Sequence, residues 1–188
     1  MKKIIISLIL VSSLSLISVF AEGTKEVEDS SIKALLEVGT NEDSTQEIYG
    51  AVAALDDNEF TLEEMLNYAL QDERLALAEY EYIVQEFNVS RPFINIIKAE
   101  KTHQRAVLKL YDTYGFEISE FNAESHVVVP DSLEEIYNIG IEAEIANIAM
   151  YDKFLSYEIP RDVRQVFEAL RKGSISHLKA FERQASKY

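Results

Sequence analysis

Four stretches of this chain place apolar residues on an alternating three- and four-residue spacing, and in each the stripe is broken near its middle by polar side chains. That spacing is the period of a helix with one buried face, so it predicts four amphipathic helices and an all-α fold. The first stripe runs Leu62, Leu66, Ala69, Ala76, Ile83 and Phe87, with Glu73 and Tyr80 at its missing positions. The second is Phe93, Ile96, Glu100, His103, Val107, Leu110 and Tyr114. The third is Leu133, Tyr137, Gly140, Glu144, Asn147, Tyr151 and Phe154, and the fourth Val163, Phe167, Leu170, Ser174, His177 and Phe181. Polar groups inside an apolar stripe cost free energy unless they are partnered, so these four interruptions should meet in one layer.

Boundary signals agree with the stripes. Thr61-Leu-Glu-Glu64 is a capping box at the start of the first helix, which ends near Phe87. Pro92 suits the first turn of the second helix and Gly115 its C-terminal cap. Asp131 or Ser132 caps the third helix, and the fourth follows Pro160. Short connections around Asn88-Val-Ser90 and before Pro160 make each successive pair an antiparallel hairpin. The stretch from Gly115 to Pro130 could extend about 50 Å, beyond the about 36 Å length of a two-dozen-residue helix. Two hairpins joined by one long crossover is therefore the expected arrangement of a four-helix bundle spanning residues 61–188.

The hairpins also resemble each other. Ala69, Gln71, Glu73, Ala78, Tyr80 and Glu81 align at a constant offset with Gly140, Glu142, Glu144, Ala149, Tyr151 and Asp152. Lys98-Ala-Glu-Lys-Thr-His-Gln-Arg-Ala106 likewise matches Lys172-Gly-Ser-Ile-Ser-His-Leu-Lys-Ala180, except that Ser174 stands where the first copy has Glu100. A pseudo-twofold axis would bring Glu73 opposite Glu144, and Glu100 with His103 opposite Ser174 with His177.

One glutamate on the first helix, Glu-x-x-His on the second, one glutamate on the third and a histidine motif on the fourth resemble ferritins, bacterioferritins and rubrerythrins. Arg91-Pro-Phe-Ile-Asn-Ile-Ile-Lys-Ala-Glu100, Tyr114-Gly115, Ala143-Glu-Ile-Ala-Asn-Ile148 and Gly173-Ser-Ile-Ser-His-Leu-Lys-Ala-Phe181 are more closely similar to a bacterial and archaeal ferritin-like family of unknown function, over residues 61 to 185. The resemblance implies a ferritin-like fold and a di-metal centre, with ligand roles for Glu73, Glu100, His103, Glu144 and His177. It carries no glutamate onto Ser174, a poor ligand for a hard cation, and Asn147 offers only a neutral oxygen one turn from Glu144. Three carboxylates leave two divalent ions with excess positive charge in a low-dielectric core, so one tightly held ion is expected rather than two. Tyr80 and Tyr151 are expected to pack around the ligands and donate hydrogen bonds to them. His126, in the crossover, is expected to be solvated.

A carboxylate and imidazole donor set suits iron or manganese, with zinc also compatible. The accompanying expectation is a metal-binding protein with weak ferroxidase or peroxide-handling activity. The alternative is a metal-free structural or interaction module, its polar layer closed by shared protons through Asn147, Ser174 and the tyrosines. No glycine-rich phosphate loop, Gly-x-Ser-x-Gly elbow or cysteine nucleophile is present. Lys2-Lys3, the apolar run Ile4 to Phe20, and Ala21 read as a cleaved signal peptide over residues 1–21, implying secretion, with the periplasm as destination. Loss of the two lysines would move the formal charge from −15 to −17, which disfavours nucleic acid and anionic membrane surfaces as partners. Residues 22–60 read as an acidic tether in which Ile48 to Leu55 can form one short docked helix.

Overall fold

The computed structural model describes residues 48–188. The expected signal segment and most of the tether lie outside the described residues. Among these are five α-helices and no strand: α1 (Gly50–Asp56), α2 (Leu62–Glu86), α3 (Phe93–Tyr114), α4 (Leu133–Leu155) and α5 (Arg161–Ala185), with a 3-10 turn at Ala123–His126. No described helix is long and apolar enough to cross a membrane.

Local signals set the helix ends. The Thr61 hydroxyl accepts from the Glu64 amide at 3.2 Å while the Glu64 carboxylate accepts from the Thr61 amide at 2.7 Å, closing the capping box. Ser132 is the cap of α4, accepting from the Glu135 amide at 3.2 Å. Gly115 ends α3 in the left-handed region at φ +69°, and the next amide, that of Phe116, returns to the Tyr111 carbonyl at 3.1 Å.

Helices α2 and α3 run antiparallel, since contacts pair rising numbers with falling ones. Gln104 reaches Glu73, Lys101 pairs with Glu81, and Tyr80 packs on Phe93. The same holds for α4 and α5, where Asp152 meets Arg171 and Tyr137 meets Phe181. In α5 the buried side chains are the six residues of its sequence stripe. Helices α2 and α4 bury a second row as well, including Met65, Leu70, Ala146 and Met150.

The added row has a visible cause. Helix α1 packs on α2 and α4, and its Ala51 and Ala54 belong to the same apolar cluster as that row. Seven residues are too few to hold a helix alone, and both ends of α1 are secured by its neighbours. The Gly50 and Ala51 amides donate to Gln71 Oε1 at 3.3 Å and Asp72 Oδ1 at 2.9 Å. Lys153 Nζ donates to the carbonyls of Ala54, Leu55 and Asp57 at the other end. The docked helix, Gly50–Asp56, overlaps the apolar stretch Ile48 to Leu55 and starts two residues later than that stretch. His126 departs from expectation: it is half-buried and stacks on Phe121 at 5.3 Å and against Tyr49 at 4.2 Å, because the crossover folds back on the chain around it.

The core is not continuous. One apolar cluster contains Leu66, Val107, Tyr151 and Phe167, and a second contains Tyr80, Phe93, Tyr137 and Phe181. Buried polar residues from all four long helices lie between them: Glu73, Glu100, Glu144, Asn147, Ser174 and His177.

Candidate metal centre

The polar layer is organised around Glu100, which is only 3% exposed. One of its oxygens lies 3.0 Å from His103 Nδ1 and the other 3.0 Å from His177 Nδ1. His103 Nδ1 also lies 3.1 Å from Glu73, and His177 Nδ1 lies 3.3 Å from Glu144. Two triads result, Glu73 with Glu100 and His103, and Glu100 with Glu144 and His177; within each, one ligand atom per residue lies within 4.8 Å of the others. The five residues expected as ligands thus occupy one layer, and both histidines turn the same ring nitrogen inward. Helical spacing explains this, because positions three apart share a face, so Glu100 and His103 project together while Ser174 and His177 do likewise from α5.

Tyrosines tie the halves together crosswise. Tyr80 of α2 donates to Glu144 of α4 at 3.2 Å, and Tyr151 of α4 donates to Glu73 of α2 at 2.7 Å. Ser174 is 2% exposed, but its hydroxyl returns to the Leu170 carbonyl at 3.3 Å and supplies no charge to the layer.

Burial and mutual contact reshape the acidities. Burial, reinforced by the negative charge of Glu100, holds Glu73 well above the usual carboxylate range. Burial also acts on Glu100, yet hydrogen bonds from Glu73, His103 and His177 outweigh it and keep its carboxyl low. Glu144 is raised by burial, with His177 opposing. Burial disfavours charge on the imidazoles as well, but hydrogen bonds to Glu100 and Glu73 carry His103 up to about 10, and those to Glu100 and Glu144 carry His177 up to about 9. Two imidazolium rings and a proton kept by Glu73 would together neutralise the three carboxylates.

A model of the family described as an uncharacterized protein domain, DUF2202, matches residues 63–187, which include all five residues of the two triads. The chain belongs to the DUF2202 family. It is 27% identical over 133 residues to the uncharacterized protein MJ0754 of Methanocaldococcus jannaschii, covering 63% of this chain and 71% of that one. The crystal structure of hypothetical protein MJ0754 from Methanococcus jannaschii superposes with a TM-score of 0.61 at 24% identity, over 70% of this chain and 85% of that chain, a likeness of fold. Helix α1 precedes the DUF2202 match.

Several residues of this DUF2202 site carry no signal in the stripes. Asp72 lies off the α2 seam, yet burial pushes its carboxyl up to about 7, with the Ala51 amide opposing and the charges of Glu144 and Glu100 reinforcing. Asn147 donates to Asp72 through Nδ2, while its Oδ1 is buried without a partner. Asn147, one turn after Glu144, thus spends its amide on Asp72 and keeps its carbonyl oxygen unbonded. Gln104 Nε2 donates to the Glu73 main-chain carbonyl at 2.8 Å, tying α3 to the α2 backbone at that residue.

Gly173 is the other hidden residue. A Cβ there would stand 2.5 Å from His103 Cε1 and 2.6 Å from Nε2, so the α5 backbone approaches the imidazole as only glycine allows. Gly173→Ala should displace the ring and break its bonds to Glu73 and Glu100. Helix propensity alone would favour alanine by about 1 kcal/mol, whereas the clash should cost about 1–3 kcal/mol. Thermal or urea unfolding should therefore show net destabilisation, accompanied by a shifted His103 ring resonance. A variant stabilised by about 1 kcal/mol with an unmoved resonance would mean that the close approach constrains nothing.

Proposed function

We propose that this protein is a ferritin-like metal protein, with two antiparallel hairpins and a crossover enclosing a degenerate carboxylate-histidine centre. Its ligands are Glu73, Glu100, His103, Glu144 and His177. The observation that carries the proposal is Glu100, whose two oxygens each face a histidine Nδ1 at 3.0 Å. A buried carboxylate set between two donor pairs is the geometry of a ligand shared by two adjacent cation positions. The donors also fit chemically, since carboxylate oxygens and neutral imidazoles suit iron or manganese, with zinc also compatible.

Charge argues for one tight ion. The three carboxylates of the triads overcompensate one divalent ion and undercompensate two, and Ser174 stands where the repeat would supply a fourth. The nearby Asp72 carboxyl is raised by burial and already accepts from Asn147 and Ala51. A bound iron or manganese ion would supply one-electron chemistry of the kind used in weak ferroxidase or peroxide-handling activity. The chain's own residues would hold and orient it, with Tyr80 and Tyr151 fixing the carboxylates. The leader and acidic tether fit export, with the periplasm as the proposed destination.

A second reading, a metal-free structural or interaction module, is favoured by the way three protons can close the layer on their own. The two readings separate by titration. If the centre holds metal, calorimetry of the full chain with ferrous or manganous ion near neutral pH should give about one equivalent, and repeating it in buffers of different ionisation enthalpy should show release of up to about three protons, one each from His103, His177 and Glu73. Stability supplies the sign. Histidines whose folded pKa is raised contribute stability that is complete below their ordinary value of 6.5 and is lost as pH rises through about 9 to 10. The metal-free melting temperature should therefore fall across that window, while the metal-loaded one holds. No binding heat and no proton release would leave the metal-free module standing.

The broken repeat supplies a gain-of-function test. Ser174 is buried one turn before His177, so Ser174→Glu places a fourth carboxylate in the layer. Metal stoichiometry should rise toward two and oxygen-dependent iron oxidation should increase. The metal-free variant should lose about 1–3 kcal/mol from the additional buried acid. Saturation still at one equivalent would contradict the paired-site geometry.

A further inference from the structure

An open cleft of about 670 Å³ lies against the outer side of His177, between the start of α3 and the last turns of α5. Its polar lining includes Arg91, Asn95, Arg183 and Lys187, and no aspartate or glutamate lines it. That is unusual for this chain, in which acidic residues number 33 against 18 basic ones. Elsewhere on the described surface two cations pair with carboxylates, Lys101 with Glu81 at 2.6 Å and Arg171 with Asp152 at 2.6 Å. Among the described residues Arg91, Arg183 and Lys187 have no carboxylate partner, and Lys187 Nζ donates to the neutral Gln184 Oε1 at 2.7 Å. Arg183 and Lys187 lie at a helix C-terminus, where cations are commonplace. Arg91 comes from a different part of the chain, and the wall is cationic on both sides because of it.

The cleft also reaches inward. Ile96 and His177, both buried, form part of its lining. His177 spends Nδ1 on Glu100 and Glu144, while its Nε2 has no hydrogen-bond partner among the described residues. A ligand seated there would meet donors at the rim, a short apolar wall and an imidazole at the inner end.

We propose that this cleft binds a small oxyanion, a carboxylate or phosphate group held between Arg91 and Arg183 with Lys187 beside it and His177 at its inner end. Guanidinium groups present forked donors matched to either head group, and electrostatic focusing in a concave site strengthens their attraction. As an anion site the cleft stands independently of any metal; as the place where a substrate would approach the centre, it rests on the metal reading. The ligand would then touch His177 from the side opposite the carboxylates.

The test is a titration of the metal-free full chain with sodium phosphate and, separately, sodium succinate at constant ionic strength, following histidine and arginine side-chain resonances by NMR. At least one of the two should bind saturably and move the His177 ring signals, and which one does so distinguishes phosphate from carboxylate as the ligand class. The double variant R91Q/R183Q should bind about tenfold or more weakly, while R105Q, which removes an equal type of charge away from the cleft, should bind like wild type. All these arginines are exposed, and a helical circular dichroism spectrum verifies that the variants fold. Non-saturable shifts with both anions, or equal weakening in R105Q, would overturn the site. Metal titration of R91Q/R183Q reads the other question separately: anion binding lost with metal binding intact leaves the centre in place, and anion binding present without metal binding leaves only the cleft.

Discussion

Glu100 places a carboxylate in the middle of the protein with one oxygen against each of two imidazoles, and much of the remaining architecture follows from keeping that group satisfied. An unpaired buried carboxylate costs several kcal/mol, so removing either histidine would leave a charge that the apolar clusters above and below cannot solvate. Glu73 and Glu144 face the same two rings from α2 and α4, and Tyr80 and Tyr151 lock them crosswise. The four long helices are thereby held at one relative height by hydrogen bonds, whereas apolar packing alone would tolerate sliding by a turn. Two things can balance the carboxylates, protons on the two rings and on Glu73 or a cation in their place, and these would compete for the same atoms.

The two hairpins supply nearly symmetric halves, and their departures from symmetry give the site its character. Ser174 stands where the first hairpin has Glu100, so the second half of the layer carries one carboxylate fewer. Gly173 occupies the position equivalent to Ala99 and lets His103 lie against the α5 backbone. The cleft beside His177 gives the second half a solvent-facing edge lined by cations, in a protein whose net charge is −15. The layer thus sets carboxylates around two imidazoles on its inside and a rim of basic side chains on its outer edge.

Stripe periodicity made the four long helices and all five acidic and basic members of the triads legible in the sequence, because a polar residue at a seam position has nowhere to point but inward. Asp72 was not legible for the opposite reason. It lies off the seam, and its burial comes from α1, whose docking depends on Gln71, Asp72 and Lys153 meeting backbone groups more than twenty residues away. Met65, Leu70, Ala146 and Met150 belong to the same case, since a second buried row appears only when something covers it. Gly173 reads in sequence as a mild weakness within a helix, and only the position of the His103 ring reveals a close approach. The environment of His126 likewise depends on how an irregular crossover folds back, for which no periodic signal exists.

The central claim, that a cation rather than shared protons completes the layer around Glu100, is tested most directly by the metal content of the full chain purified without a histidine tag or chelator. Mass-spectrometric elemental analysis should find iron or manganese at about one per chain, and stripping and restoring that metal should lower and then raise the melting temperature. Protein that contains no transition metal when isolated, and whose melting temperature does not respond to added iron, manganese or zinc, would contradict the claim and leave a layer held together by protons alone.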